Sequence, residues 1–147
     1  MARFELAFQR IMENEGGYVN DPDDLGGETY KGIARRYHPN WEGWERIDAY
    51  KEADEFPGIL DGDRALQGWV QAFYKEWYWD PIGLDTVTSQ EAAEELLDMA
   101  VHLGVKRAVI FLQRGLNVLN RRGRLWQDLV IDGDAGSRTR SALSKYE

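Results

Sequence analysis

Six carboxylates and five glycines fall within residues 13–33, ENEGGYVNDPDDLGGETYKGI. That composition suits neither a helix nor a regular strand. Glu15 ends an apolar stripe formed by Phe4, Phe8 and Ile11, lying within about 40° of them on a wheel of ~100° per residue. Glu13 falls on the opposite face. Partial burial and the negative end of a helix dipole both favour the protonated carboxyl, the state a general acid requires. Gly16 and Gly17 then predict a sharp exit with positive φ, and Gly26 and Gly27 a second turn. Asp21, Asp23 and Asp24 ride the loop between them. A loop carboxylate returning across a sugar from Glu15 would complete a glycosidase pair. Thr29 is placed to hold a water or orient that carboxylate. A plain helix end followed by an Asp-Pro-Asp-Asp turn fits the same residues, and spacing alone leaves both readings open.

Other chemistries fit less well. A calcium loop starting at Asp21 matches at Asp23 and Gly26, but puts Leu25 at its fifth position and Gly32 where a bidentate Glu is needed. A loop starting at Asp132 fails at Ser137 and Leu143. There is no cysteine and only two histidines, His38 and His102, so thiol chemistry and a His-rich metal centre are excluded. No phosphate-binding loop, dinucleotide fingerprint or HExxH motif occurs. No metal and no organic cofactor is expected. The net charge of −8 is uneven: residues 1–105 carry 9 Lys/Arg against 22 Asp/Glu, and residues 106–147 carry 9 against 4. The acidic body argues against nucleic acid as a partner. Arg107, Arg114, Arg121, Arg122 and Arg124 could meet phosphate or carboxylate on a cell envelope, or form ordinary solvated surface.

The elements that must position Glu15 read as mostly helical. A first helix ends at the Gly16 and Gly17 pair, and Thr29 caps a second running to Tyr37. Segment 41–58 is irregular. A strong helix from Asp61 or Asp63 buries Leu66, Trp69, Val70, Phe73 and Trp77 and ends at Pro81. Thr88 to Glu91 read as a capping box for a helix with Ala93, Leu96, Leu97, Ala100 and Val101 inward, stopped by Gly104. A fifth helix carries Val109, Leu112, Leu116 and Leu119, and a short one spans about 137–146. The expectation is a mainly α globule with at most a small β-hairpin near residues 17–30. It divides into a catalytic region over 1–95 and a helical segment over 96–147 packed into the same globule. Trp41 and Trp44 are candidate sugar-stacking rings, with a satellite core as the alternative. Tyr78 and Trp79, off the helical stripe, are candidates for a cleft edge.

EGGYVNDPDDLGGETYKGI, residues 15–33, closely resembles the signature of glycoside hydrolase family 108, lysozyme-like N-acetylmuramidases found largely as phage or prophage endolysins. FYKEWYWDPIGLD (73–85) and MAVHLGVKRAVIFLQRGLN (99–117) follow in the family's order. FLQRGLN with IDGDAGSRTRSAL resembles a small peptidoglycan-binding segment, with Ser137 where Pro is common. The resemblance implies a lysozyme-like fold and cleavage of the β-1,4 bond between N-acetylmuramic acid and N-acetylglucosamine. It places the general acid at Glu15, with Asp24 and Thr29 opposite it managing the water. Asp24 to Thr29 is one residue shorter than the usual spacing of related phage lysozymes. Tyr30 stands where the family usually has Asn, and His102 where VNxG is usual; a His there could donate to a sugar amide or to Glu15. Tyr18, Tyr30, Trp41, Trp44 and His102 are therefore the candidate substrate contacts. The implied partner is the glycan strand of bacterial peptidoglycan, met by a monomer without stable membrane insertion. MARFELAFQRIMENEGG lacks an uninterrupted apolar core and a cleavage site. The expectation is synthesis in the bacterial host cytoplasm without a signal peptide, and action on the wall in the periplasm after release by another factor. Two rivals stand: a non-catalytic peptidoglycan-binding or secretion-associated protein of the same fold, and a lytic transglycosylase using Glu15 as both acid and base.

Overall fold

A computed structural model describes residues 1–147. The elements in chain order are α1 (Phe4–Met12), β1 (Tyr18–Asn20), β2 (Glu28–Tyr30), β3 (Ile33–Ala34), α2 (Gly43–Tyr50), α3 (Arg64–Tyr74), α4 (Asp80–Ile82), α5 (Gln90–Leu103), α6 (Val105–Leu119) and α7 (Ser137–Tyr146). Short 3₁₀ turns cover Gly58–Gly62 and Leu84–Thr86, and a π-turn, Lys75–Trp79, joins α3 to α4. The fold is mainly α with one small antiparallel sheet in the order β1-β2-β3, as a lysozyme-like chain requires. Two compact units are present, Met1–Arg10 with Tyr74–Glu147, and Ile11–Phe73.

In the unit that holds both chain ends, Phe4 meets Trp79 edge-on with ring centroids 5.4 Å apart, and Phe8 meets Tyr74 at 5.6 Å. The Ala2 N–H donates to Val87 O at 2.7 Å, and Arg10 pairs with Glu94 at 2.7 Å. Ser89, not Thr88, caps α5, its hydroxyl accepting from Ala92 N. Gly104, at φ 85°, stops α5 as expected and lets α6 begin at the next residue. The buried amide of Gln113 bonds Asp132, Asp134 and Thr139 through Nε2 and takes the Gly133 N–H on Oε1. The irregular segment before α7 is thereby tied to α6.

The π-turn reverses two expectations. Trp77, expected inside, is 50% exposed; Trp79, expected at a cleft edge, is fully buried, its indole N–H donating to Asp85 at 2.7 Å. A wide i→i+5 turn holds one residue more than an α-turn. The inward position after Tyr74 therefore falls on residue 79.

In the other unit, Lys31 (φ 44°) and Gly32 (φ 79°) form a two-residue reversal, as a tight hairpin turn demands. Tyr30 consequently pairs across it with Ile33, both buried. The helix expected from Thr29 to Tyr37 is replaced by β2 and β3, because two successive left-handed residues cannot continue a right-handed helix. Segment 41–58, expected to be irregular, contains α2.

One half-buried carboxylate ties this sheet to α2. Glu28 accepts from Tyr18 Oη (2.8 Å), Lys51 Nζ (2.6 Å) and Arg35 (2.9 Å). Arg35 also grips Asp48 through two bonds, at 2.8 and 2.7 Å, and Lys51 reaches Asp48 at 2.7 Å. Burial alone would raise the Glu28 pKa; the hydrogen bonds from Lys51, Tyr18 and Arg35 outweigh it and hold the carboxyl below its ordinary value. Asp63 makes a second tie. It caps α3 by accepting from Leu66 N, and it takes Arg46 Nε and Tyr50 Oη of α2 on its other oxygen. The Arg46 bond, the Leu66 N–H and Tyr50 outweigh burial and lower its pKa to about 2.

Two outcomes are expected. Trp79→Ala should cost about 3–5 kcal/mol in urea unfolding, and Trp77→Ala under about 1 kcal/mol. Asp63 has a folded pKa below its unfolded value, so its stabilisation is complete above about pH 5 and fades as the pH falls toward 2. Asp63→Asn should cost about 2 kcal/mol at pH 7 and flatten that acid limb in pH-dependent melting.

Candidate active site

Glu15 lies three residues beyond the end of α1, with its N–H still donating to Ile11 O at 3.1 Å. The helical winding therefore carries the side chain onward from the apolar stripe, and it ends half-buried. Its carboxyl accepts no protein hydrogen bond.

Gly16 and Gly17 do not take the positive φ that their pairing suggested; of the loop glycines only Gly27, at 59°, does. Their contribution is space. A Cβ built on either would meet nothing within 4 Å, so the backbone beside Glu15 is an open ledge. Gly17 O accepts from Lys31 N at 3.2 Å, which extends the β1–β2 ladder toward Glu15.

Loop 21–27 is shaped by its own aspartates. Asp21 Oδ1 accepts from Asp23 N at 2.9 Å, and Asp24 Oδ1 from Gly26 N at 3.2 Å. Such Asx turns are why Asp-Pro-Asp-Asp and Gly-Gly sit here. Arg36 adds a bond to Leu25 O at 3.0 Å. Thr29 pairs with Val19 and Ala34, on the sheet face opposite Tyr30 and Ile33. Its hydroxyl donates to Gly27 O at 3.3 Å. A Cβ at Gly26 would stand 3.7 Å from Thr29 Oγ1 and 3.8 Å from Asp24 Oδ1. Asp24, exposed, and Thr29 thus converge on one spot above a residue that has no side chain.

The other candidates divide. Tyr18 is half-buried against Phe56, with ring centroids 4.8 Å apart; burial first, then the bond to Glu28, raises its phenol pKa. Tyr30 is buried and takes Gln67 Nε2 on its hydroxyl at 2.9 Å, so it is core rather than a sugar contact. Trp41 and Trp44 are also core. The Trp41 ring lies over Gly43, where a Cβ would come within 2.1 Å of it, and Arg35 stacks on Trp44 at 5.4 Å. Both border a groove of about 350 Å³ with Asn40, Glu42 and Asp48, but their ring faces are taken. His102 stands exposed in the last turn of α5, in the other unit, with Nδ1 2.8 Å from Asp98 O.

Sequence reasoning missed Glu28, Arg35, Asp48 and Lys51, the charged set that fixes the strand carrying Thr29. Strand alternation was the available signal: Glu28 and Tyr30 share a face once residues 28–30 are read as extended.

A family model described as glycosyl hydrolase 108 matches residues 8–104. Among solved structures, Brucella abortus SagA is similar, at 28% identity over 97% of this chain and 68% of that one, with a TM-score of 0.63. No curated protein matches. The family match takes in Glu15, the loop, the sheet, α3 and α5, well over half of the sequence, and the chain belongs to the glycosyl hydrolase 108 family.

Proposed function

We propose that the protein is an N-acetylmuramidase that cleaves the β-1,4 bond between N-acetylmuramic acid and N-acetylglucosamine in bacterial peptidoglycan. Family membership supports a glycoside hydrolase of the peptidoglycan-degrading type. The observation that carries the reading is Glu15: a half-buried carboxyl with no protein partner, beside a backbone ledge bare of side chains. An acid committed to a salt bridge would hold its proton too weakly to give it to a leaving oxygen.

Glu15 protonates the glycosidic oxygen as the bond to the muramic C1 breaks. Positive charge develops on that sugar, and water then attacks C1. Asp24 takes the proton of that water or balances the charge, and Thr29 orients it. Tyr18 lines the substrate path from β1. Residues 96–147 act as a wall-binding segment. The chain works as a monomeric, endolysin-type enzyme of phage origin, made in the host cytoplasm and released to the wall by another factor.

Glu15→Gln should lower the rate at which purified walls lose turbidity by about 10²–10⁴-fold without shifting the melting temperature. Equal clearing by the variant removes Glu15 from the acid role; binding without clearing by both proteins favours a non-catalytic wall-binding protein. Mass spectrometry of released muropeptides should find reducing muramic ends. A 1,6-anhydro end would instead assign a lytic transglycosylase. In the same turbidity assay, Asp24→Asn should lose more activity than Thr29→Ala, because only the former removes a charge.

A further inference from the structure

The exposed face of α6 carries Arg107, Phe111, Arg114 and Val118. At ~100° per residue these four lie within about 60° of arc. Ala108, Val109, Gln113 and Leu116 fill the buried side. Phe111 is 49% exposed and Val118 82%. Neither Arg107 nor Arg114 forms a salt bridge or a side-chain hydrogen bond. Arg121 and Arg122 follow just past the helix end, exposed and at positive φ. From residue 99 to 127 the chain holds six Lys/Arg and no Asp or Glu. In a protein of net charge −8, that is a long acid-free run.

We propose that this face of α6 docks on an anionic phospholipid surface. Basic residues alone would suit any polyanion. Apolar side chains alternating with arginines on one narrow stripe suit an interface with charged headgroups outside and acyl chains beneath. A hydrated anionic polymer gives Phe111 and Val118 nothing to enter, whereas a bilayer removes both from water. Arg107 and Arg114 supply the attraction from the stripe itself, and at physiological salt the acidic body is screened beyond about 8 Å. The contact is peripheral: no helix is long and apolar enough to cross a membrane. The inference is separate from the chemistry proposed for Glu15, Asp24 and Thr29, since none of the α6 residues is among the groups that handle protons or water there.

Vesicle co-sedimentation tests it. The full chain should bind vesicles of phosphatidylglycerol mixed with phosphatidylcholine, bind pure phosphatidylcholine poorly, and release as salt rises. Arg114→Glu should weaken binding more than about fivefold, since one basic residue near such a surface accounts for about that factor. Phe111→Ser should also weaken it several-fold. Both variants should keep the wild-type melting temperature, which reports that they fold. Equal binding to both lipid compositions overturns the proposal. So does loss in Arg114→Glu with none in Phe111→Ser, which would assign the face to a soluble polyanion. A wild-type dimer in sedimentation that Phe111→Ser dissociates would assign it to a second copy.

Discussion

The candidate chemistry depends on a carboxylate that performs none. Glu28 is half-buried with three donors around it, and those donors come from β1, from the segment just after β3 and from the residue following α2. Loss of any one donor would weaken the hold on a part-buried charge, at a cost of about 1–3 kcal/mol. Sheet and helix must therefore keep their spacing for the charge to be tolerated. Thr29, the next residue, and the loop that bears Asp24 inherit that rigidity.

Set beside Glu28, Glu15 makes the opposite use of the same functional group. Glu28 is surrounded by cations and held ionised. Glu15 has no protein partner, sits by the carbonyl end of α1 and is flanked by glycines that leave room beside it. The difference between Glu28 and the candidate acid is what the neighbouring sequence withholds. Asp63 belongs with Glu28: its oxygens are consumed by a helix start, a guanidinium and a phenol.

Much of this was legible in the residues. The helical stripes gave the mainly α content, the glycine-rich acidic run forms the loop its composition suggests, and Gly104 ended α5 as its position suggests. The failures share one cause, a period read without the backbone that carries it. Thr29 looked like a helix cap because nothing in its side chain announces that Lys31 will join Gly32 in a left-handed turn. Trp41 and Trp44 stood open between sugar stacking and a satellite core because segment 41–58 lacked a clean helical stripe, and Gly43, which lets the Trp41 ring lie on the backbone, goes with the core reading. Trp77 and Trp79 exchanged roles because wheel arithmetic assumes unbroken α winding. The charged set around Glu28 was hidden because its members lie up to 23 positions apart in the chain, from residue 28 to residue 51.

The wide turn at Lys75–Trp79 also bears on how this chain could change length. A π-turn is an α-helix holding one supernumerary residue, so excising a single position there would restore ordinary winding while everything downstream kept its rotational phase. The same excision anywhere else in α3 would swing Trp79 and Ile82 out of register by roughly 100°. Gaps of one residue among homologous sequences should therefore gather at this turn, and an aligner that spreads them elsewhere along the helix would misplace the aromatic residue that seals the core.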